Sequence, residues 1–229
     1  MNPKFLTIQL LSMLSDTDLL SKFIMAILVI FSIVSWTLIF GKISKIIATN
    51  SKNSKFIKVF WSGDNVYDIY QKYKDNVNCP AVSIFAEVMK DIDGIVSAKD
   101  VVSVEYAAEK AYDKMTVAIS TTMQKIRSGM QYINVIATTS TYFGLLGTVW
   151  GISQSFKTIS IMKEATVANL APGVNAALIT TIFGLVSAIP ALIAYQLISY
   201  KLNLMEENLN NFSLEFLGVL SKELEKDED

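Results

Sequence analysis

In this 229-residue chain, the side chains that best indicate a chemical role are threonine hydroxyls within stretches that lack charged residues. Thr148 and Thr181 both lie in stretches that contain no Asp, Glu, Lys or Arg. A hydroxyl donates and accepts hydrogen bonds, but it cannot store a proton near neutral pH. The chain has no histidine and these stretches hold no carboxylate, so any proton passing the threonines must be held by an acid from another protein. The pattern predicts groups that orient a partner's acid.

The same composition argues against an enzyme. The absence of histidine removes most hydrolase and metal-ligand arrangements, and the chain contains no GxxxxGK[ST] phosphate loop. We therefore expect no catalytic residue, no metal and no cofactor. A net charge of −1 gives no indication of nucleic-acid binding. The only cysteine, Cys79, is expected to be an ordinary small buried residue.

Three charge-free stretches, 23–41, 128–156 and 165–200, position these threonines. Each reaches the roughly 18 to 20 residues that cross hydrocarbon about 30 Å thick. The chain is 52 % hydrophobic with a mean hydropathy of +0.39, more than one soluble core of this length normally hides. A secretory signal would carry its positive charge before the first stretch, whereas five lysines follow it. The sequence predicts an all-α integral membrane protein with three transmembrane helices, the third over 171–200, and long cytoplasmic helical extensions.

The distribution of cations predicts the orientation. Residues 42–127 contain 13 of the 20 Lys and Arg residues, while the connector 157–170 contains two lysines. Cytoplasmic loops are the ones enriched in Lys and Arg. We therefore expect residues 42–127 and the tail 201–229 to be cytoplasmic, and residues 1–22 and the connector to be periplasmic.

The cytoplasmic loop and tail are predicted to be helical. Pro80 suits a first helical position and Gly94 is expected to end that helix. A second helix is expected to begin at the capping-box pair Ser97 and Asp100 and to run straight through Arg127 into the second span. Two apolar stripes are expected to be buried: Phe85, Val88, Met89 and Ile92 in the loop, and Ile198, Leu202, Met205, Leu209, Phe212 and Phe216 in the tail.

Two spans carry a face of mostly small residues at helical spacing. In the second span this face is Ala137, Thr141, Gly144, Thr148, Gly151 and Ser155; in the third it is Ala177, Thr181, Gly184, Ala188, Ala191 and Tyr195. Close helix packing is the simpler interpretation, because Gly147 and Gly151 form a GxxxG pair. A threonine can also bond the carbonyl one turn back, so a polar pathway and plain packing both remain open. Pro172 is predicted to lie at the start of the third span and Pro190 at a kink.

Four segments resemble the MotA/TolQ/ExbB proton-channel family. "YFGLLGTVWGISQSF" (142–156) and "LAPGVNAALITTIFGLVSAIPALIAY" (170–195) resemble its two-part signature. "FSIVSW" (31–36) and "FWSGDNVYDIYQ" (60–71) resemble the TolQ branch, so the likeness extends over almost the whole chain. Three spans rather than four disfavour the MotA branch, and the ExbB branch is the nearer alternative.

The resemblance implies a homo-oligomeric ring, pentameric in related complexes, around a TolR-type dimer. The second and third spans would line its interior, where Thr148 and Thr181 face an aspartate of the partner. The predicted proton-pathway lining is Thr141, Thr148, Thr181 and Tyr195, and the predicted packing or pore face is Gly144, Gly147, Gly151, Ala177, Gly184 and Ala188. Where the family commonly reads "GIAEAL", this chain reads "GVNAAL", so Ala176 replaces the usual glutamate and no role of that glutamate carries over.

The function implied by the resemblance is that of a proton-channel subunit in the bacterial inner membrane. Proton flow would drive motion that is passed to a TolA-type protein, which maintains the outer membrane, notably at cell division. The alternatives are an ExbB-like subunit that energises TonB-dependent transport and a passive membrane scaffold. The scaffold alternative predicts that Thr148 and Thr181 matter only through packing.

Overall fold

Six α-helices make up nearly all of the described chain. The computed structural model describes residues 18–62, 65–75, 79–97, 104–164 and 166–228. In chain order the helices are α1 (Leu19–Phe60), α2 (Val66–Tyr73), α3 (Pro80–Ser97), α4 (Val104–Arg127), α5 (Met130–Met162) and α6 (Val167–Glu228). These described ranges contain no β-strand. The predicted all-α fold is confirmed.

Helices α1, α5 and α6 are long and apolar enough to cross a membrane. Their most apolar windows have mean hydropathies of 2.6, 1.3 and 2.2, respectively. The value for α5 is the lowest because glycine, serine and threonine replace larger apolar side chains along it. The three candidate spans correspond to the three charge-free stretches of the sequence.

One structural unit comprises Met1–Gly41 and Gly129–Leu197. Within its described part, the N-terminal half of α1 lies with α5 and the first half of α6. Phe31 of α1 meets Phe143 of α5 edge-on, with ring centroids 5.9 Å apart. Ile24 and Leu28 of α1 are each only 1 % exposed. This unit holds all the predicted site residues.

The second unit comprises Lys42–Ser128 and Ile198–Asp229, and its core is aromatic. Phe85 of α3 lies 5.1 Å from Phe216 of α6, and Phe60 of α1 lies 5.2 Å from Phe212, measured between ring centroids. Edge-on and tilted pairs at these distances add to the gain from burying the rings themselves. Both apolar stripes predicted in the loop and the tail are buried, so those predictions are confirmed.

Two helix boundaries predicted in the loop are wrong. Helix α3 continues through Gly94 to Ser97, because an interior glycine costs only about 1 kcal/mol and the preceding apolar stripe is fully packed. Helix α4 is not continuous with α5: α4 ends at Arg127, and Gly129 before α5 has a φ of 85°, the left-handed conformation that glycine readily adopts. The capping-box residue Asp100 lies outside the described residues.

Lys42 donates hydrogen bonds to carbonyl oxygens at the C-terminal end of α4. Its Nζ donates to the carbonyl oxygen of Ile126 at 2.9 Å and to that of Ser128. The last carbonyls of a helix have no partner within the helix, and a lysine is a suitable donor for them. Burial lowers the pKa of Lys42 below its ordinary value, and the nearby charge of Lys45 adds to this.

The link between α5 and α6 is shorter than the predicted connector, and the predicted helix start at Pro172 is wrong. Helix α5 ends where Lys163 adopts a φ of 56° and its N–H donates to Ile159 O at 2.8 Å. Helix α6 begins at Val167, so Pro172 lies in its second turn. Pro172 and Pro190 both lie inside α6, each omitting one backbone hydrogen bond.

Replacing Asn53 by alanine should loosen the start of α3. The side-chain Oδ1 of Asn53, on α1, accepts a hydrogen bond from Ala81 N at 3.1 Å, and Asn53 is 4 % exposed. Asn53→Ala leaves the N–H of Ala81 unpaired, which lowers the local stability by about 1–2 kcal/mol. Hydrogen–deuterium exchange at Ala81 should therefore be roughly tenfold faster. Asn50→Ala, at an exposed position on the same helix, is the control. Equal exchange rates in both variants would contradict the assignment.

Candidate functional site

Helices α5 and α6 meet through glycines whose backbones touch. A Cβ atom built on Gly144 would lie 3.3 Å from the Cα of Thr181, and one on Gly184 would lie 2.9 Å from the Cα of Gly144. A Cβ on Gly151 would lie 2.6 Å from the carbonyl oxygen of Gly173. The structure therefore brings the two small-residue faces together within one protomer, at a distance that only small residues permit.

The buried face of α6 includes Ala177, Gly184, Ala188 and Ala191 of the face identified in the sequence, but it contains Thr180 in place of Thr181. Thr180 is 0 % exposed and packs against Gly147, whereas Thr181 is half-buried. Ser140 of α5 and Ser187 of α6 are also buried. Sequence reasoning missed these three hydroxyls. Positions spaced by three and four residues that include these hydroxyls are also occupied by small residues. The spacing of small residues therefore fits both faces of the helix and does not distinguish between them.

The buried hydroxyls are satisfied within this helix pair. Ser140 Oγ lies 3.3 Å from Ser187 Oγ, and Thr180 Oγ1 donates to Ala177 O at 2.8 Å. Ser155 Oγ lies 3.2 Å from Leu170 O on the neighbouring helix. Hydrogen bonds between helices in apolar surroundings hold the pair in register. These groups are structural.

The predicted pathway threonines lie at the edge of that contact. Thr148 is half-buried and its Oγ1 donates to Leu145 O at 2.6 Å. Thr181 Oγ1 lies 3.2 Å from Gly144 O on α5, and the exposed Thr141 donates within its own helix. Each hydroxyl thus has a carbonyl acceptor for its proton, while the oxygen keeps lone pairs that can accept a hydrogen bond from another group.

Tyr195 is not brought together with the threonines. It is half-buried, 14 positions after Thr181 on the same helix, which places it about 20 Å along the axis at 1.5 Å per residue. Ala177 and Ala188 are buried with the glycines, and so is Ala176, where the resemblance predicts a glutamate. The site therefore consists of Thr148 and Thr181 beside a tightly packed helix pair.

Several known proteins are similar to this chain over nearly its whole length. The Tol-Pal system protein TolQ of Pseudomonas aeruginosa is 30 % identical over 220 residues, covering 95 % of this chain and 95 % of that protein. TolQ of Haemophilus influenzae is 29 % identical over 216 residues, covering 93 % and 94 %. The biopolymer transport protein ExbB of Salmonella typhimurium is 25 % identical over 215 residues, covering 93 % and 86 %.

The chain also matches a protein family as a whole, in addition to these individual relatives. Residues 83–211, more than half of the chain, match the MotA/TolQ/ExbB proton channel family. The matched segment contains all of α5 and the apolar part of α6, and with them every predicted site residue. Taken with three helices that can span a membrane, the match establishes this chain as a multi-pass membrane protein that belongs to the MotA/TolQ/ExbB proton channel family.

Proposed function

We propose that this chain is the proton-channel subunit of a Tol-Pal system in the bacterial inner membrane. It would couple the proton motive force to TolA-mediated outer-membrane integrity and cell division. Similarity to the TolQ proteins over nearly the full length of both chains favours this role over the ExbB role. One observation carries the proton-channel part: Thr148 and Thr181 offer hydroxyl oxygens at a helix pair whose charge-free stretches supply no acid.

The hydroxyls favour the protonated form of the partner's acid. Because both threonines donate their own protons to carbonyl oxygens, their oxygens are left as acceptors. A protonated carboxyl group can donate to such an oxygen, whereas a carboxylate cannot. Contact with Thr148 and Thr181 therefore raises the pKa of the partner's acid. When the acid moves away from the two threonines, its pKa falls and it releases the proton. The membrane supplies about 2.3 kcal/mol per proton per 100 mV, comparable to the hydrogen bonds exchanged.

The proposed assembly is a homo-oligomeric ring, pentameric by resemblance, around a TolR-type dimer that supplies a membrane aspartate. Helix α1 would face lipid, because its apolar half carries large exposed side chains: Phe23, Ile30, Ile33, Trp36 and Phe40. Large apolar side chains left uncovered on a spanning helix suit contact with lipid tails. The N-terminus would be periplasmic and the tail cytoplasmic.

Co-purification tests the proposal. The full chain should copurify with a single-span protein carrying one intramembrane aspartate. In strains that lack the endogenous subunit, it should restore detergent resistance in place of TolQ but not TonB-dependent uptake in place of ExbB. The reverse pattern would support the ExbB alternative, and restoration by variants that lack both hydroxyls would support the passive scaffold.

Cysteine labelling tests the proposed orientation. In a Cys79→Ala background, a membrane-impermeant thiol reagent added from the periplasm should label Lys163→Cys and not Lys90→Cys. Both lysines are exposed in the structure. The native thiol of Cys79 is buried as expected, at 6 % exposure, and burial raises its pKa, so it would react slowly in any case.

Permeabilised cells provide the control for labelling. Lys90→Cys should react once the reagent reaches the cytoplasm, which shows that the thiol itself is accessible. Labelling of Lys90→Cys in intact cells, together with protection of Lys163→Cys, would overturn the proposed orientation.

A further inference from the structure

A cleft of about 320 Å³ with a mixed polar and apolar lining opens within the first unit, among the beginnings of α1 and α6 and the second half of α5. Gly151 and Gly173 lie at its floor, where the backbones of α5 and α6 are in close contact. Its polar walls are formed by Asp18, Ser21, Gln154, Ser155, Thr158 and Asn169. These carboxylate, hydroxyl and amide groups can bind water, and the cleft lies outside the Thr148 and Thr181 site.

Asp18 supplies the cleft's carboxylate. The Nε1 of Trp150, on α5, donates to Asp18 Oδ2 at 2.9 Å, linking residues that are 132 positions apart. This hydrogen bond is the main reason why the pKa of Asp18 lies below its ordinary value. Asp18 is exposed and therefore stays ionised at neutral pH while its position is fixed by the indole.

The charges around Asp18 come from α1 and α5. Lys22 follows one turn later on α1, and its N–H donates to the Asp18 carbonyl at 3.1 Å. Lys157 of α5 lowers the pKa of Asp18 through its charge. The residues that α6 contributes to the cleft are uncharged. Asp18 is thus the acid of this cleft.

Helix capping alone does not account for the arrangement. The Asp18 carbonyl accepts the first hydrogen bond of α1, which makes Asp18 the N-cap residue, and aspartate is common there. A cap, however, needs no donor from another helix. The bond from Trp150 holds the carboxylate at a water-sized cleft.

We propose that this cleft is the proton-collecting site on the periplasmic side of the channel, with Asp18 as its fixed anion. The inference rests on the proposed function, because it needs protons to enter from that side. Hydronium gives its proton to the Asp18 carboxylate, leaving a neutral carboxyl group and water; the carboxyl group then returns the proton to a water in the cleft. Clefts lined by charge of one sign raise local counter-ion concentration and capture rates by about 10- to 1,000-fold, and for the single carboxylate of Asp18 beside Lys157 we take the lower end of that range, about tenfold.

The proposal is tested by removing the charge of Asp18 while keeping its role as the N-cap of α1. Asparagine caps a helix as well as aspartate does, so Asp18→Asn removes only the charge. The copurified complex is placed in liposomes that contain a pH-sensitive dye, and proton influx is measured at low salt. We expect about a tenfold loss of influx at external pH 8. The loss should shrink at pH 6, where protons are abundant, and in about 1 M salt, which screens the charge within roughly 3 Å.

Glu164→Gln is the matched control, because it removes a nearby exposed carboxylate that does not line the cleft. Influx should change little in this variant. Replacing external sodium by potassium should also leave the Asp18→Asn defect unchanged. Should Asp18→Asn fail to assemble, Asp18→Ser keeps a cap without charge and takes its place.

Trp150 fluorescence tests the contact itself, without any proton flow. In a Trp36→Phe and Trp61→Phe background, the emission of Trp150 should titrate with a midpoint below the ordinary pKa of aspartate. Asp18→Asn should abolish that titration. If the emission of Trp150 does not titrate in this background with Asp18 present, the contact between Trp150 and Asp18 is overturned, and the inference with it.

The influx outcomes separate the two proposals. A wild-type complex that conducts no protons overturns the proposed function and this inference together. A conducting complex in which Asp18→Asn is unchanged at pH 8 and low salt, or is matched by Glu164→Gln, overturns this inference alone.

Discussion

Valine at Thr148 or Thr181 should leave the complex assembled and impair its energised function. Valine keeps nearly the volume and shape of threonine but has no oxygen to accept a hydrogen bond from the partner's acid. A hydrogen bond between neutral groups is worth about 0.5–1.5 kcal/mol, so we expect up to about a tenfold loss of proton influx for each variant. Copurification of the single-span partner measures assembly, and detergent resistance of cells measures function.

Two controls separate the hydroxyl from its volume. Thr→Ser at either position keeps the oxygen and should retain much of the function. Thr180→Val is the matched control on α6: Thr180 is fully buried and donates only within its own helix, so it should assemble and conduct. Equal losses in Thr180→Val and Thr181→Val would attribute the effect to packing.

The double variant provides a check on the mechanism. If Thr148 and Thr181 serve one acid, losing either already disables the exchange, and the Thr148→Val and Thr181→Val double variant should lose little more than each single one. Full function in both valine variants would instead establish the scaffold alternative for these positions.

Alanine at Gly151 or Gly184 should prevent α5 and α6 from pairing correctly. A Cβ on Gly151 would lie 2.6 Å from Gly173 O and 2.9 Å from Ala177 N, and one on Gly184 would lie 2.8 Å from Ser140 O. These obstacles are backbone atoms, which cannot rotate away as a side chain would. Overpacking of this kind costs about 1–3 kcal/mol, and we expect a lower thermal midpoint in detergent, reduced abundance and loss of partner binding.

Gly218→Ala is the matched control for these variants. Gly218 lies within α6, and no atom that would obstruct a Cβ lies within 4 Å of it. Alanine is the better helix former by about 1 kcal/mol, so this variant should be as stable as the parent or slightly more stable. A similar loss of stability in Gly218→Ala and Gly151→Ala would contradict the proposed close contact.

Glycines illustrate how far local sequence predicts helix ends. Gly94 and Gly129 are each followed by a helix-compatible segment, yet only Gly129 adopts a positive φ and lies at a helix boundary. The difference lies in their contacts. The α4 carbonyls next to Gly129 are satisfied by Lys42, which is 84 positions before Ile126, and no local pattern reports such a donor.

The threonines illustrate the same point at the site. Neighbouring residues on a helix differ by about 100° in direction, and both possible registers of α6 connect small residues. The sequence alone therefore predicted a narrow, weakly polar face but not that Thr180 would be buried and Thr181 half-buried. The two registers share Gly184, and the packing of Thr180 against Gly147 distinguishes them.

The sequence by itself determined the three candidate spans, the buried stripes of the loop and tail, and the family, because charge-free length and helical period are local properties of the chain. Only the tertiary structure decided which hydroxyls are buried, where α4 ends, and that Asp18 meets Trp150 across 132 residues. Those features depend on pairs of atoms from distant segments, and packing of whole helices brings such pairs together.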